Sequence, residues 1–174
     1  MRLQGKKIVA VVENLYNDLE HWYPVYRLRE EGAEVVIAGP EAGERYQGQS
    51  GIPADTELAF SSLKADDYDG LLIPGGWAPD RLRRYPELLD FVRAMDEAEK
   101  PIGHICHAGW VLISADILQG RKVTSTPAIK DDMKNAGAEW VDEVCVVDGH
   151  IVSSRRPDDL PVYAKTFADL LAKK

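Results

Sequence analysis

The chain has 174 residues and a net charge of −8, with 45% hydrophobic and 29% charged residues. That length and mixture suit one domain over 1–174 with a substantial core, as in a soluble, cytoplasmic globular protein. The acidic balance argues against a nucleic-acid partner, no apolar run is long enough to span a bilayer, and two cysteines at no metal-like spacing predict neither a metal site nor a disulfide framework.

The polar N-terminus leads straight into an apolar run, Lys7 to Val12, that reads as a fully buried strand. Asn17 or Asp18 caps a helix to about Glu31, stopped by Gly32, with Pro24 predicting a kink or a broken first turn. Glu34 to Ala38 is the second strand, so a β-α-β alternation with a parallel sheet between helical layers is already set. Gly39 to Asp67, rich in Gly, Pro and acids, reads as an excursion with short strands near Tyr46 and Ala54. Gly70 to Pro74 is a central strand ending in Gly75-Gly76, and Pro86 opens a helix to about Lys100 with Leu88, Leu89, Val92 and Met95 on its apolar face. Beyond the next strand, Lys122 to Ser125 predicts another, and Ile129 to Asn135 a short helix ended by Gly137. Val141 to Val147 and Ile151 to Ser154 predict a hairpin around Asp148-Gly149, and Leu160 to Leu171 a closing amphipathic helix.

The most informative stretch is Pro101 to Trp110, in which an apolar run meets Cys106, His107 and two small residues, and a helical pattern then begins. This is the pattern of a strand-to-helix turn with a sulfur at its apex; small residues are needed where strand and helix come close. A helix N-terminus also favours the thiolate. Ligands of an open parallel sheet bind beyond the carboxyl ends of its strands. Three pieces lie at such ends: Glu13 to Asp18, Gly75 to Asp80, and Cys106-His107. Cys106 is the candidate nucleophile, against the alternative of a small buried hydrophobe. His107 is the candidate acid/base, and Gly75-Gly76 either presents N–H groups to an oxyanion or simply ends a strand. Asp80 either orients His107 or helps start a helix after Pro79. Trp77 and Trp110 line a pocket, an interface or the core. Cys145 reads as structural, His104 as facing the sheet interior, His21 as a surface or helix-face residue, and His150 as a hairpin-tip residue.

The segments Ile105 to Val123, Pro74 to Arg83 and Pro127 to Pro161 resemble the PfpI-type intracellular proteases, in the superfamily that includes the parkinsonism-associated deglycase. The likeness runs nearly end to end and is weakest between Pro40 and Lys64. It implies a flavodoxin-like three-layer α/β sandwich with a mostly parallel central sheet and Cys106 on a nucleophile elbow. It also implies a triad of Cys106, His107 and an acid from a neighbouring subunit, which falls on Asp80. Dimers, and hexamers built from them, follow as expectations, as do oxyanion-binding N–H groups at Gly76 and His107 and the absence of a cofactor. The family places a glutamate after the first strand, in a segment E-D-[VL]-E, whose protonated carboxyl bonds the cysteine. Aligning on Asp18-Leu19-Glu20 puts Asn17 at that position, where its amide is expected to hold the sulfur by donating a hydrogen bond, leaving Glu13 and Glu20 outside it. The deglycase branch has a histidine where this chain has Thr126, so acid/base duty falls on His107.

Two functions follow as expectations. One is a stress-response enzyme whose Cys106 thiolate attacks carbonyl carbons of small aldehydes, glycated groups or peptides. The other is a redox-sensing or protective protein with an oxidisable Cys106 and little turnover.

Overall fold

A computed structural model describes residues Met1–Lys174. Strands β1 (Lys7–Val11) and β2 (Glu34–Gly39) flank helix α1 (Asp18–Glu30). The excursion holds β3 (Arg45–Gln47), β4 (Pro53–Asp55) and β5 (Leu58–Ala59). There follow β6 (Gly70–Ile73), α2 (Ala78–Leu82), α3 (Pro86–Glu97), β7 (Ile102–Ile105) and α4 (Gly109–Ser114). The C-terminal part comprises β8 (Lys122–Val123), α5 (Lys130–Asn135), β9 (Glu139–Trp140), β10 (Cys145–Asp148), β11 (Ile151–Ser154) and α6 (Leu160–Lys173).

Seven strands form one sheet in the order β10-β11-β7-β6-β1-β2-β5, parallel except for the edge strand β10. Strand residues alternate faces. Ile8, Ala10, Leu72, Ile105 and Val152 pack with Val25, Leu28, Tyr163 and Phe167 of α1 and α6. Val9, Val11, Leu71, Ile73 and Ile102 pack with Leu82, Phe91, Met95 and Leu112 of α2 to α4. The result is the flavodoxin-like three-layer sandwich. The chain leaves β1 toward β2 and β5, then returns to β6 on the other side of β1. This reversal puts the carboxyl ends of β1, β6 and β7 side by side at a switch in strand order, where such sheets bind ligands.

Local chemistry altered several expected boundaries. Helix α1 runs unbroken through Pro24, which is buried with Val25 and Leu28. Proline removes one N–H, leaving the Glu20 carbonyl without its helical donor, but packing of the apolar face keeps the helix whole. The strand expected at Lys122 to Ser125 is only two residues long and pairs with β9, outside the central sheet. The hairpin's first strand starts at Cys145, because Val141 bonds Val123 in that side ladder. Asp148 pairs with Ile151, so the two-residue turn is Gly149-His150, with Gly149 at φ +60°. His21 is buried between the rings of Tyr16 and Trp22, not on the surface. His150 is buried too, with Nε2 2.7 Å from Asp96.

His104 is fully buried in β7, and neither ring nitrogen has a hydrogen-bond partner in the chain. Burial pushes its pKa down to about 3, and does the same to His21, where Arg29 adds to the effect. Between pH 6.5 and 3 the unfolded chain therefore binds protons at these positions that the folded chain does not, so acid lowers stability. Between pH 7 and 5 the loss is about 2 kcal/mol per histidine. Urea unfolding at pH 7, 6 and 5 should show this slope, and His104→Leu should flatten it by one histidine's share. An unchanged slope would mean that His104 takes up a proton in the folded chain.

Candidate active site

The site is assembled where α1 begins. Asn17 has extended backbone angles and its Oδ1 accepts from the N–H groups of Leu19 and Glu20, both at 3.1 Å, so it is the helix N-cap. In a capping box the glutamate three residues on would bond the N-cap's own N–H. Here that N–H donates to the Gly75 carbonyl at 3.1 Å, and Glu20 Oε2 instead accepts the Gly75 N–H at 2.9 Å. Gly75, beyond the end of β6, is thus held through both main-chain polar groups by the first turn of α1.

No side chain fits at Gly75. A Cβ there would lie 2.6 Å from the Cys106 Cβ and would overlap the Glu20 carboxylate. Gly76 is held at φ +79°, and a Cβ there would meet the Asn17 nitrogen at 2.5 Å. This crowding distinguishes Gly75-Gly76 from an ordinary strand-ending turn.

Cys106 follows β7 at φ +62°, a left-handed conformation that costs a non-glycine residue about 1–2 kcal/mol. One turn of 3₁₀ helix, Cys106–Ala108, leads into α4. This is the expected elbow. The N–H groups of Gly76 and His107 are directed at the sulfur and favour its ionised form. Burial and the neighbouring Glu20 carboxylate act in the opposite sense and push the thiol up to about 12. Glu20 is itself buried, with 2% of its surface exposed, and lies within hydrogen-bonding reach of Cys106. Burial raises it to about 7, opposed by its bonds to Gly75 and Cys106. The two effects describe one shared proton. While Glu20 is ionised its charge opposes the thiolate, and once it is protonated its O–H can stabilise the thiolate by donation. A carboxyl raised in this way stays protonated in the folded chain between about pH 4.5 and 7, so it costs stability as pH rises through that window.

His107 Nδ1 stands 3.3 Å from Cys106 Sγ, and burial lowers the imidazole's pKa. Asp80, in α2, does not meet His107 within one chain; it is half-exposed and accepts from Arg84 at 2.5 Å. Glu13 is buried and accepts from Tyr85 Oη at 2.6 Å and from the Asn14 N–H at 2.7 Å. With Asp80, Arg81, Arg84 and Tyr85 it lines a cavity of about 460 Å³. No three His, Cys, Asp or Glu side chains converge as a metal ion would need.

Two expectations are corrected. Asn17 does not hold the sulfur, because its side chain caps α1; the carboxyl at Cys106 belongs to Glu20. The segment Asn17-Asp18-Leu19-Glu20 carried the signal, since an N-cap followed three residues later by glutamate puts that glutamate in the first turn. Gly75 does not offer an N–H to an oxyanion either, since Glu20 takes it; the free donors are those of Gly76 and His107.

Residues 6–170 match the sequence profile of the DJ-1/PfpI family. A deglycase of Thermococcus kodakarensis is 43% identical over 165 residues, covering 95% of this chain and 99% of the relative. The deglycase PfpI of Pyrococcus furiosus is 44% identical over 165 residues, again covering 95% and 99%. Among solved structures, a two-domain protein of Anabaena variabilis with DJ-1/ThiJ/PfpI-like and ferritin-like domains superposes with a TM-score of 0.94 at 36% identity. That match covers 95% of this chain and 48% of the other.

Gly75→Ala should lower stability by about 2 kcal/mol or more, because its methyl has no room between Glu20 and Cys106; denaturant titration checks this. Glu20→Gln should change the rate of iodoacetamide alkylation of Cys106 between about pH 5 and 9 by removing the inflection near pH 7, since an amide neither takes the thiol proton nor carries the charge that opposes the thiolate. Mass spectrometry with Cys145 as internal reference reads that rate. An unchanged pH dependence would mean that Glu20 plays no part in ionising the sulfur.

Proposed function

The chain belongs to the DJ-1/PfpI family, and we propose that it is a Cys106-dependent enzyme of the deglycase type, acting on the carbonyl groups of small aldehydes and early glycation adducts. The observation that carries this reading is the convergence on one sulfur of two N–H groups, a buried carboxyl and an imidazole nitrogen. Relatives that cover nearly the whole chain and bear the name deglycase support the substrate class.

With methylglyoxal as substrate, the sequence of steps balances without an external oxidant. Glu20 takes the thiol proton as the sulfur attacks the aldehyde carbon. The carbonyl oxygen gains the electron pair, receives hydrogen bonds from the Gly76 and His107 N–H groups, and is protonated to give a hemithioacetal. His107 removes the proton from that carbon, an enediol forms, and reprotonation at the adjacent carbon leaves a thioester. Water then cleaves the carbon–sulfur bond, releasing lactate and restoring the thiol. With an early glycation adduct, a hemiaminal, the sulfur replaces the amine on the carbinol carbon: the carbon–nitrogen bond breaks as the carbon–sulfur bond forms, the amine leaves with the thiol's proton, and the same hemithioacetal results. A peptide carbonyl is a third substrate class for the same attack.

His107 lacks a carboxylate partner within its own chain, which supports a homo-oligomer in which Asp80 of a second copy orients the imidazole. Dimers satisfy this, and hexamers built from dimers do so equally. The redox-sensor reading has less support. Sensing calls for an exposed thiol of low pKa, whereas Cys106 is half-buried and raised. In catalysis the thiolate is needed only as the bond forms, with Glu20 at hand to take the proton.

Cys106→Ala should abolish turnover of methylglyoxal, measured as lactate released, and Asp80→Asn should lower kcat by about 100-fold. Mixing the two inactive variants after reversible dissociation should restore about a quarter of wild-type activity, because half the dimers are mixed and each holds one complete site. Retained activity in Cys106→Ala would end the proposal. Absence of complementation would place the orienting acid elsewhere.

A further inference from the structure

His107 is the one group at the sulfur with no carboxylate of its own chain to orient it, yet its Nδ1 stands 3.3 Å from Sγ. Two indoles hold the ring. Trp110, one helical turn on, meets it edge-to-face, with centroids 5.1 Å apart and planes at 61°. Trp77, at the start of α2, is the second, with centroids 6.2 Å apart at a tilt of 35°.

These two walls differ in rigidity. The Trp110 indole N–H donates to Asp132 of α5 at 2.9 Å. The Arg83 guanidinium lies over the Trp110 ring at 5.5 Å, and Arg83 is itself tied to Ser114 of α4 at 2.9 Å. The indole is therefore fixed along one edge and on one face by elements packed into the sheet's helical layer. Trp77 is fixed only through its backbone, whose N–H donates to the Leu15 carbonyl at 2.9 Å, and the residue is 59% exposed.

We propose that Trp110, braced by Asp132 and Arg83, is a positioning residue that holds the His107 ring with Nδ1 on the sulfur, and that Trp77 is the outer wall of the same clamp. A histidine side chain has two rotatable bonds, and flipping the second would exchange a nitrogen for a carbon at Sγ. An edge-to-face aromatic contact is directional, so it disfavours that flip. The clamp sets the ring before any carboxylate arrives and leaves Nε2 directed away from the sulfur. Trp110 acts through His107, with which its ring is in contact.

The assignment rests on the proposed enzymatic reading only for its kinetic consequence, and the test separates the two. The full chain is labelled with ¹⁵N-histidine, and the His107 ring resonances are identified by their loss in His107→Gln. In the wild type the two ring nitrogens should give the distinct shifts of a single tautomer. Trp110→Ala should bring them together toward the averaged values of a freely exchanging imidazole, and Trp110→Phe should restore the wild-type pattern. With methylglyoxal, Trp110→Ala should lower kcat about tenfold with KM within about twofold of wild type, as expected for lost orientation, and Trp110→Phe, which keeps the ring contact but not the bond to Asp132, should recover to within about threefold of wild type. Asp132→Asn, which leaves the aromatic pair intact but weakens its brace, should lower kcat about threefold. Should Trp110→Ala unfold, the exposed Trp77→Ala serves as the second variant, with a smaller shift in the same direction.

Unchanged nitrogen shifts in Trp110→Ala would overturn the proposal, as would a loss carried by KM, which would make Trp110 a substrate contact. Failure of Trp110→Phe to rescue would also overturn it, assigning the effect to the Asp132 bond alone. If the wild type turns over no carbonyl compound, the enzymatic reading fails, and the nitrogen shifts still decide the clamp.

Discussion

The structure depends on how Gly75 is held. Its N–H goes to the Glu20 carboxylate and its carbonyl receives the Asn17 N–H, so a single residue ties the end of β6 to the first turn of α1. Buried main-chain groups must find partners, and here both find them on one helix end. Because the residue has no Cβ, the elbow carrying Cys106 can close against the same point. Three strand ends that the topology merely makes neighbours thereby become one site.

Holding a carboxyl in that place has an electrostatic consequence. Glu20 is too buried to ionise at its ordinary pH, and Cys106 too close to it to ionise independently. An isolated buried charge would cost several kcal/mol, whereas a proton shared between two groups leaves only one of them charged. The Gly75, Gly76 and His107 N–H groups compensate that one charge from either side. The strained left-handed backbone at Cys106 belongs to the same arrangement, since it turns the sulfur toward these donors.

His107 stands on the solvent side of this buried pair and is held differently. Two indoles lie beside it, while the half-exposed Asp80 pairs with Arg84, just beyond the end of its own helix. The inner half of the site is therefore complete within one chain, and the outer half is open. Such a division is compatible with the proposed homo-oligomer, because the costly buried part folds within one chain and only exposed groups would have to come from a second copy.

Much of this was legible in the sequence, for identifiable reasons. Apolar runs bounded by Gly and Pro mark β1, β2, β6 and β7, because strands buried on both faces must be apolar throughout. The small residues after Cys106 mark the elbow, because strand and helix nearly touch there. Pairings made far along the chain left weaker traces. Lys122 to Ser125 reads as a sheet strand, but its partner is the two-residue strand at Glu139, which no local pattern announces. The role of Glu20 was hidden in a different way. Sequence spacing marks both Asn17 and Glu20 as first-turn residues, but which of them faces the sulfur depends on the Asn17 N–H finding Gly75, 58 positions away. The sequence alone thus determines the layers, the elbow and the chemistry available at it, through periodicity and residue size. Only the tertiary structure decides which acid meets the thiol and which rings hold the histidine, because those choices follow from hydrogen bonds and packing between distant segments.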